Sequence, residues 1–113
     1  MRIATWNVNS IRARLDRVRA WLERRAPDVV CLQELKTTAD KFPVDALAEL
    51  GYRAAVHGQK TYNGVAVLAR GEIEEVETGW RGGEADPQAR LIWATVGGVR
   101  VGSAYVPNGA AVG

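Results

Sequence analysis

The sequence predicts an α/β fold, a layered domain with a mixed sheet and the element order β-α-β-α-β-β-β-β-β. Three observations carry this expectation. Two unbroken apolar runs, Val29-Val30-Cys31-Leu32 and Val65-Ala66-Val67-Leu68-Ala69, have the composition of strands covered on both faces. A helical stripe of Ile11, Leu15, Val18 and Leu22 lies between an opening strand and the first of these runs, which makes a βαβ unit. Beyond the second run, alternating stretches follow with no helical pattern between them, as antiparallel hairpins require.

The elements follow in order. Residues 2–6 form a short strand, and Asn7-Val8-Asn9-Ser10 a polar turn. Ser10 is the expected N-cap of the first helix, because its hydroxyl can accept a free N–H of the first turn. Ala26-Pro27 stops that helix. Residues 28–33 are the first buried strand, with Glu34 at its carboxyl end. A loop over 35–42 leads to Pro43, which suits the first turn of a short helix over 44–50, and Gly51 closes it. Residues 52–57 are a strand, 58–63 a polar loop and 64–69 the second buried strand. Residues 73–78 alternate as an edge strand, and 79–86 form a Gly-rich loop. Two last strands, 90–96 and 99–106, are joined by Gly97-Gly98, a two-residue hairpin signal.

Composition narrows the function classes. The chain has 113 residues, 47% hydrophobic and 25% charged, the balance of one globular domain. No apolar run approaches the ~20 residues of a membrane span, and the N-terminus carries no signal-like segment. Cys31 is the single cysteine, so an internal disulfide and a multi-cysteine zinc site are both excluded. A lone thiol fits a reducing compartment, and the expected location is the cytoplasm.

The net charge is only +2, but its distribution is uneven. Arginines 12, 14, 17, 19, 24 and 25 stand against Asp16 and Glu23 in the first helix. Six acids between Glu72 and Asp86 stand against Arg81. The first run reads as a solvated helix face with phosphate contact as its alternative. The second reads as an edge strand and loop guarded by charge.

Functional groups in α/β sheets gather at the carboxyl ends of strands. Asn7 follows the first strand, Glu34 follows the second, and Tyr105 with Asn108 ends the last. Each has a bland alternative: a turn hydrogen bond for Asn7, a surface acid for Glu34, a core position for Tyr105. Glu34 carries the most chemistry. Mg²⁺ takes one or two carboxylates, keeps several waters and completes its shell with phosphate. Asn7 could hold a phosphate oxygen or a metal-bound water, Lys36 could supply positive charge, and the Tyr105 phenol could donate to a phosphate oxygen. Other chemistries lack their residues. There is no Gly-x-Gly-x-x-Gly, P-loop or Gly-x-Ser-x-Gly, and the only serines are Ser10 and Ser103. His57 is the only histidine and reads as structural. Cys31 reads as core packing.

These residues sit in recognisable motifs. Ile3-Ala4-Thr5-Trp6-Asn7-Val8-Asn9-Ser10-Ile11-Arg12 and Pro27-Asp28-Val29-Val30-Cys31-Leu32-Gln33-Glu34-Leu35-Lys36 resemble the two opening motifs of the exodeoxyribonuclease III family. Its members are Mg²⁺-dependent apurinic/apyrimidinic endonucleases of the endonuclease/exonuclease/phosphatase superfamily. Residues 58–66, Arg90-Leu91-Ile92 and Ser103-Ala104-Tyr105-Val106-Pro107-Asn108-Gly109 are similar to three further segments of that family. The resemblance runs from Met1 to about Gly109. It implies that Glu34 is a ligand for Mg²⁺, with Mn²⁺ as its substitute, and that Asn7 supports the metal and phosphate site. It implies that Tyr105 contacts the scissile phosphate. Lys36, Arg90, Asn108 and the loop 59–63 would lie at the substrate-binding face. The implied substrate is double-stranded DNA with abasic sites or 3′ ends, hydrolysed by 3′–5′ exonuclease and endonuclease action.

Family members run well past this length. Their second half carries an Asp-x-Asn motif and a terminal Asp-His pair, and neither occurs here. The chain therefore resembles the N-terminal half of a four-layered α/β sandwich, expected to be inactive alone. Two alternatives stay open: a superfamily phosphatase acting on lipid or inositol substrates, and a non-catalytic partner-binding module. Helices cover one face of the predicted sheet, and nothing obvious in the sequence covers the other. At ~25 cal/mol per Å² such a bare face costs many kcal/mol, so a missing half or a dimer partner is the expected cover.

Overall fold

The computed structural model describes residues 1–59, 63–78 and 89–105. Among them the elements follow the expected order. Strand β1 (Ile3–Asn7) leads to helix α1 (Leu15–Arg25) and strand β2 (Val29–Gln33). A 3-10 turn (Ala39–Lys41) sits in the next loop, before helix α2 (Val44–Ala48). Strands β3 (Arg53–His57), β4 (Val65–Ala69), β5 (Glu74–Thr78), β6 (Leu91–Val96) and β7 (Val99–Ala104) complete the fold.

The mixed sheet is present, in the order β1-β2-β4-β3. β1 pairs β2 in parallel, while β4 runs antiparallel to both of its neighbours. The two continuous apolar runs became its centre: every residue of β2 and β4 is buried. One face of the sheet presents Val30, Leu32, Ala66 and Leu68 to the helical layer, where Val18, Leu22, Leu47 and Phe42 meet them.

The other face is not bare, which corrects the sequence-based expectation. β5, β6 and β7 do not extend the first sheet. They form a second, antiparallel sheet that lies across it. Ile92, Ala94 and Val96 of β6 and Val101 of β7 pack on Val29, Cys31, Val65, Val67 and Ala69. An alternating hairpin has one dry face, but periodicity does not say what that face meets. Here it meets the chain's own first sheet, so the layers run helix, sheet, sheet.

The first helix departs from expectation at its start. Regular helix begins at Leu15, with Arg14 at the N-cap position, and not just after Ser10. Ser10 does cap, but it caps a preceding turn: its Oγ accepts from Ala13 N–H at 3.2 Å, and its carbonyl accepts from Arg14 N–H at 3.1 Å. The cause is tertiary. Ser10 N–H donates to Glu34 O at 2.8 Å and Ile11 N–H to Leu35 O at 3.1 Å, which fixes this segment to the loop after β2. The apolar stripe holds as read, with Ile11, Val18 and Leu22 buried. Arg12, Arg17, Arg24 and Arg25 are exposed, and Arg19 pairs with Glu49 at 2.9 Å.

The hairpin turn is as read: Gly97 and Gly98 take φ of 56° and 79°, as a primed two-residue turn requires. β5 is exposed throughout. The loop read over 79–86, the end of the last strand at Val106, and Asn108 lie outside the described residues.

Candidate active site

Three chain segments reach one rim of the two-sheet stack. Parallel pairing sets Asn7 opposite Gln33, so β1 and β2 end together. Beyond that point the loops are joined by backbone bonds. Val8 N–H donates to Gln33 O at 3.0 Å, Leu35 N–H to Gly64 O at 3.1 Å, and Lys36 N–H to Asn63 O at 3.0 Å. This zipper forces unusual backbone. Asn9, Ser10, Glu34, Lys36 and Asn63 all take positive φ, at 46°, 84°, 53°, 55° and 60°. Such conformations cost of order 1–3 kcal/mol each for a non-glycine residue and persist only where the surroundings over-determine them. Gly64, at φ 94°, is required as glycine: a Cβ there would stand 2.9 Å from Leu35 Cβ.

Glu34 sits at the centre of this rim, half-buried, directly after a fully buried strand. Tyr105 reaches it from the second sheet. The Tyr105 N–H donates to Arg90 O at 2.8 Å, which holds the end of β7 against the entry to β6. Its phenol stands toward the Glu34 carboxylate, and hydrogen bonding with that group, then some burial and the carboxylate's charge, push it above the ordinary tyrosine range. Glu34 and Tyr105 thus lie at the same rim, and Arg90 lies beside them through its backbone.

Asn7 is at the same rim, exposed, and its Oδ1 accepts from Asn9 N–H at 3.1 Å. The turn bond expected as its bland role is therefore formed. Lys36, two residues past Glu34, is exposed. Gln59 ties the neighbouring loop to the second sheet: its Oε1 accepts from Asn63 Nδ2 at 3.1 Å and from Ala89 N–H at 2.8 Å. His57 pairs with Val65 in the sheet ladder, in keeping with a structural role. Cys31 is buried between the sheets, 3.7 Å from Gly102 O, and burial pushes its thiol up.

Sequence reasoning missed one set of groups under this rim. Gln33 Nε2 donates to Thr5 Oγ1 at 3.0 Å and to Ser103 Oγ at 3.1 Å. Ser103 Oγ donates to Leu32 O at 2.9 Å. The available signal was a glutamine and a serine at inward positions of otherwise apolar strands.

The donor set suits a hard divalent cation of modest demand. Among the described residues no group of three or more His, Cys, Asp and Glu side chains gathers anywhere. The rim offers one oriented carboxylate, at Glu34, with amide and phenol groups beside it. That fits Mg²⁺, which binds through one or two carboxylates and retains waters, and does not fit a caged zinc or calcium ion.

A family model described as the Endonuclease/Exonuclease/phosphatase family matches residues 4–109. The chain belongs to the endonuclease/exonuclease/phosphatase family. Exodeoxyribonuclease III of Haemophilus influenzae is 35% identical over 96% of this chain and 42% of its own length. The solved 3′-5′ exonuclease of Neisseria meningitidis is 49% identical with a TM-score of 0.91, over 96% of this chain and 43% of that one. An AP endonuclease from Archaeoglobus fulgidus is 41% identical with a TM-score of 0.89, over 96% of this chain and 42% of that one. The chain thus spans less than half the length of these family members.

Proposed function

We propose that this chain is the N-terminal part of an exodeoxyribonuclease III-type DNA-repair nuclease. Its substrate in this reading is double-stranded DNA with abasic sites or 3′ ends, and its reaction is hydrolysis of a phosphodiester. The observation that carries the reading is the convergence of Asn7, Glu34 and Tyr105, from the ends of β1, β2 and β7, on one rim of the two-sheet stack. The relatives named above, matched over 96% of the chain, support it.

Glu34 would hold Mg²⁺, or Mn²⁺ in its place, with Asn7 beside it. When bound, the ion supplies charge stabilisation at the phosphate. Tyr105 donates its O–H to a phosphate oxygen as charge develops there, a contact of the kind whose loss costs ~10²–10³ in rate. Lys36 and Arg90 bring positive charge to the same rim, and Asn108 completes the substrate face. No Asp-x-Asn or Asp-His occurs in the 113 residues, so water activation falls to the rest of the polypeptide. That remainder adds along the two open strand edges, β1 and β7, and not over a bare sheet face. Among the described residues no helix is long and apolar enough to cross a membrane. With its one reduced, buried thiol, the protein's proposed location is the cytoplasm.

The test is complementation. The chain is mixed with the separately made remaining portion of the Neisseria meningitidis relative. Duplex DNA bearing one abasic site is then offered with Mg²⁺. The expected result is cleavage by the mixture and negligible cleavage by either piece. A stable complex that leaves abasic and 3′-ended DNA intact overturns the nuclease reading. Phosphate release from inositol phosphates would instead support a phosphatase.

A further inference from the structure

The two sheets meet through an apolar interface that is non-directional by nature. One layer of it is polar. Gln33 and Ser103 stand together there, at 8% and 1% exposure, with exposed Thr5 at the margin of the layer. Burial does not call for polar groups at this place, since valine or leucine would fill it in the company of Cys31, Val65 and Val101. Polar groups in such a layer give geometric direction in exchange for their desolvation.

The hydrogen-bond logic of the layer allows one arrangement. The Leu32 carbonyl can only accept, so it commits the Ser103 O–H. The Ser103 oxygen then accepts, which obliges Gln33 to present its N–H group there. The second amide N–H goes to Thr5. One side chain of β2 thereby links β1 on one side to β7 in the other sheet. The members stand next to the rim in sequence: Thr5 two residues before Asn7, Gln33 one before Glu34, Ser103 two before Tyr105.

We infer that Gln33, acting through Ser103, is a positioning residue that latches the two sheets beneath the rim and so sets Tyr105 against Glu34. The inference rests on the proposed reading of Glu34 and Tyr105 as the site. Its consequence is a separation of roles: the latch fixes site geometry, while the apolar residues around it hold the fold. An apolar replacement is therefore compatible with folding and incompatible with the Tyr105–Glu34 contact.

The experiment uses the chain labelled with ¹³C at the tyrosine ring carbon that bears the hydroxyl. Glu34→Gln gives the reference position of the Tyr105 resonance when its acceptor is changed. Gln33→Met and Ser103→Val are expected to move the resonance toward that reference while the urea midpoint stays at or above the parent value. Ser103→Thr has nearly the shape of Ser103→Val but keeps a hydroxyl, and it should hold the resonance at the parent position. Manganous ion, added as a paramagnetic probe, should need about tenfold higher concentration to broaden Tyr105 in Gln33→Met, the usual scale for loss of a ligand's outer support. Folded Gln33→Met and Ser103→Val chains with unmoved resonances overturn the inference. So does a resonance shift that only tracks lost stability, since the residues are then structural. If the latch variants move Tyr105 but Mn²⁺ broadens nothing in the parent chain, the positioning role stands and the metal reading fails.

Discussion

The two sides of the molecule finish their sheets differently. On one side β3 and β5 are the edge strands. β3 opens with exposed Arg53, which pairs with Glu72 at 3.9 Å. β5 carries Glu74, Glu75 and Glu77, has a register shift between Glu74 and Glu77, and turns through φ 50° at Glu75. Charge and a bulge are how proteins keep a strand edge from pairing with another. On the other side β1 and β7 are the edges. β1 has no charged residue, and Ile3 is 50% exposed upon it. The single charge of β7, Arg100, is turned to Glu77 at 2.6 Å. The two strands flank an open groove of about 520 Å³ floored by Cys31 and Gln33. Val29 N–H donates to Arg2 O and Val8 N–H to Gln33 O, so the even positions of β1 serve β2. Parallel pairing then turns the N–H groups of Ile3, Thr5 and Asn7 outward. Among the described residues, one side is guarded by charge and a bulge, and the other leaves uncharged edges with outward N–H groups.

The largest expected effect tests how far the fold depends on each region. Leu68 is fully buried at the centre of the first sheet. Leu68→Ala should cost about 2–5 kcal/mol in urea unfolding of the chain. Ile3→Ala, on the open edge, should cost below about 1 kcal/mol in the same measurement. Equal losses would mean that the β1 edge is already part of a closed core.

The next effect concerns pairing. Ile3→Lys and Val76→Lys place the same charge on an open and a guarded edge, at residues of 50% and 47% exposure. In the complementation mixture, Ile3→Lys should weaken association about tenfold, near 1.4 kcal/mol. Val76→Lys should leave it unchanged. Calorimetric titration of the two pieces reads both, and a symmetric response removes the distinction between the sides.

A smaller effect is kinetic. Cys31 lies under the open groove, and burial holds its thiol above the ordinary range. Thiolate is the reactive form, so alkylation should rise only at higher pH than for free cysteine. Binding of the remaining polypeptide over β1 and β7 should slow it further, read by mass spectrometry of the modified chain. Alkylation at the rate of a free thiol, unaffected by the partner, would show that the groove is not where the pieces meet.

How much of this was legible in the sequence follows from what each signal encodes. The runs at β2 and β4 announced burial on both faces, and both strands are wholly buried. Gly97-Gly98 announced its turn through backbone freedom alone. Ile92, Ala94 and Val96 announced a dry face but not its partner, so the second sheet was missed as the cover of the first. Ser10 reads as a helix cap because capping is local, whereas its bond to Glu34 O is a long-range tie no local pattern contains. Glu34 was legible from its place after a buried strand. Its contact with Tyr105, and the Gln33–Ser103 bond below, join residues about 70 apart in sequence.

The smallest effect lies at the rim where β7 ends. The Tyr105 phenol is held above the ordinary range chiefly by hydrogen bonding with Glu34, then by burial. The folded chain therefore favours the protonated phenol more than the unfolded chain does. This contribution to stability is fully present below the unfolded tyrosine value, near pH 10, and is lost as pH rises through the higher folded value. Glu34→Gln removes the carboxylate charge, so the Tyr105 titration should move down toward the ordinary range. Tyr52 offers an internal control: its phenol is raised mainly by burial, it donates to Pro27 O at 2.6 Å, and Glu34 is not among the groups that act on it. Titration by ¹³C resonance position should thus show Tyr105 moving and Tyr52 staying in Glu34→Gln. If Tyr105 keeps its raised titration without the carboxylate, burial and not Glu34 sets it, and the contact across the two sheets is incidental to the rim.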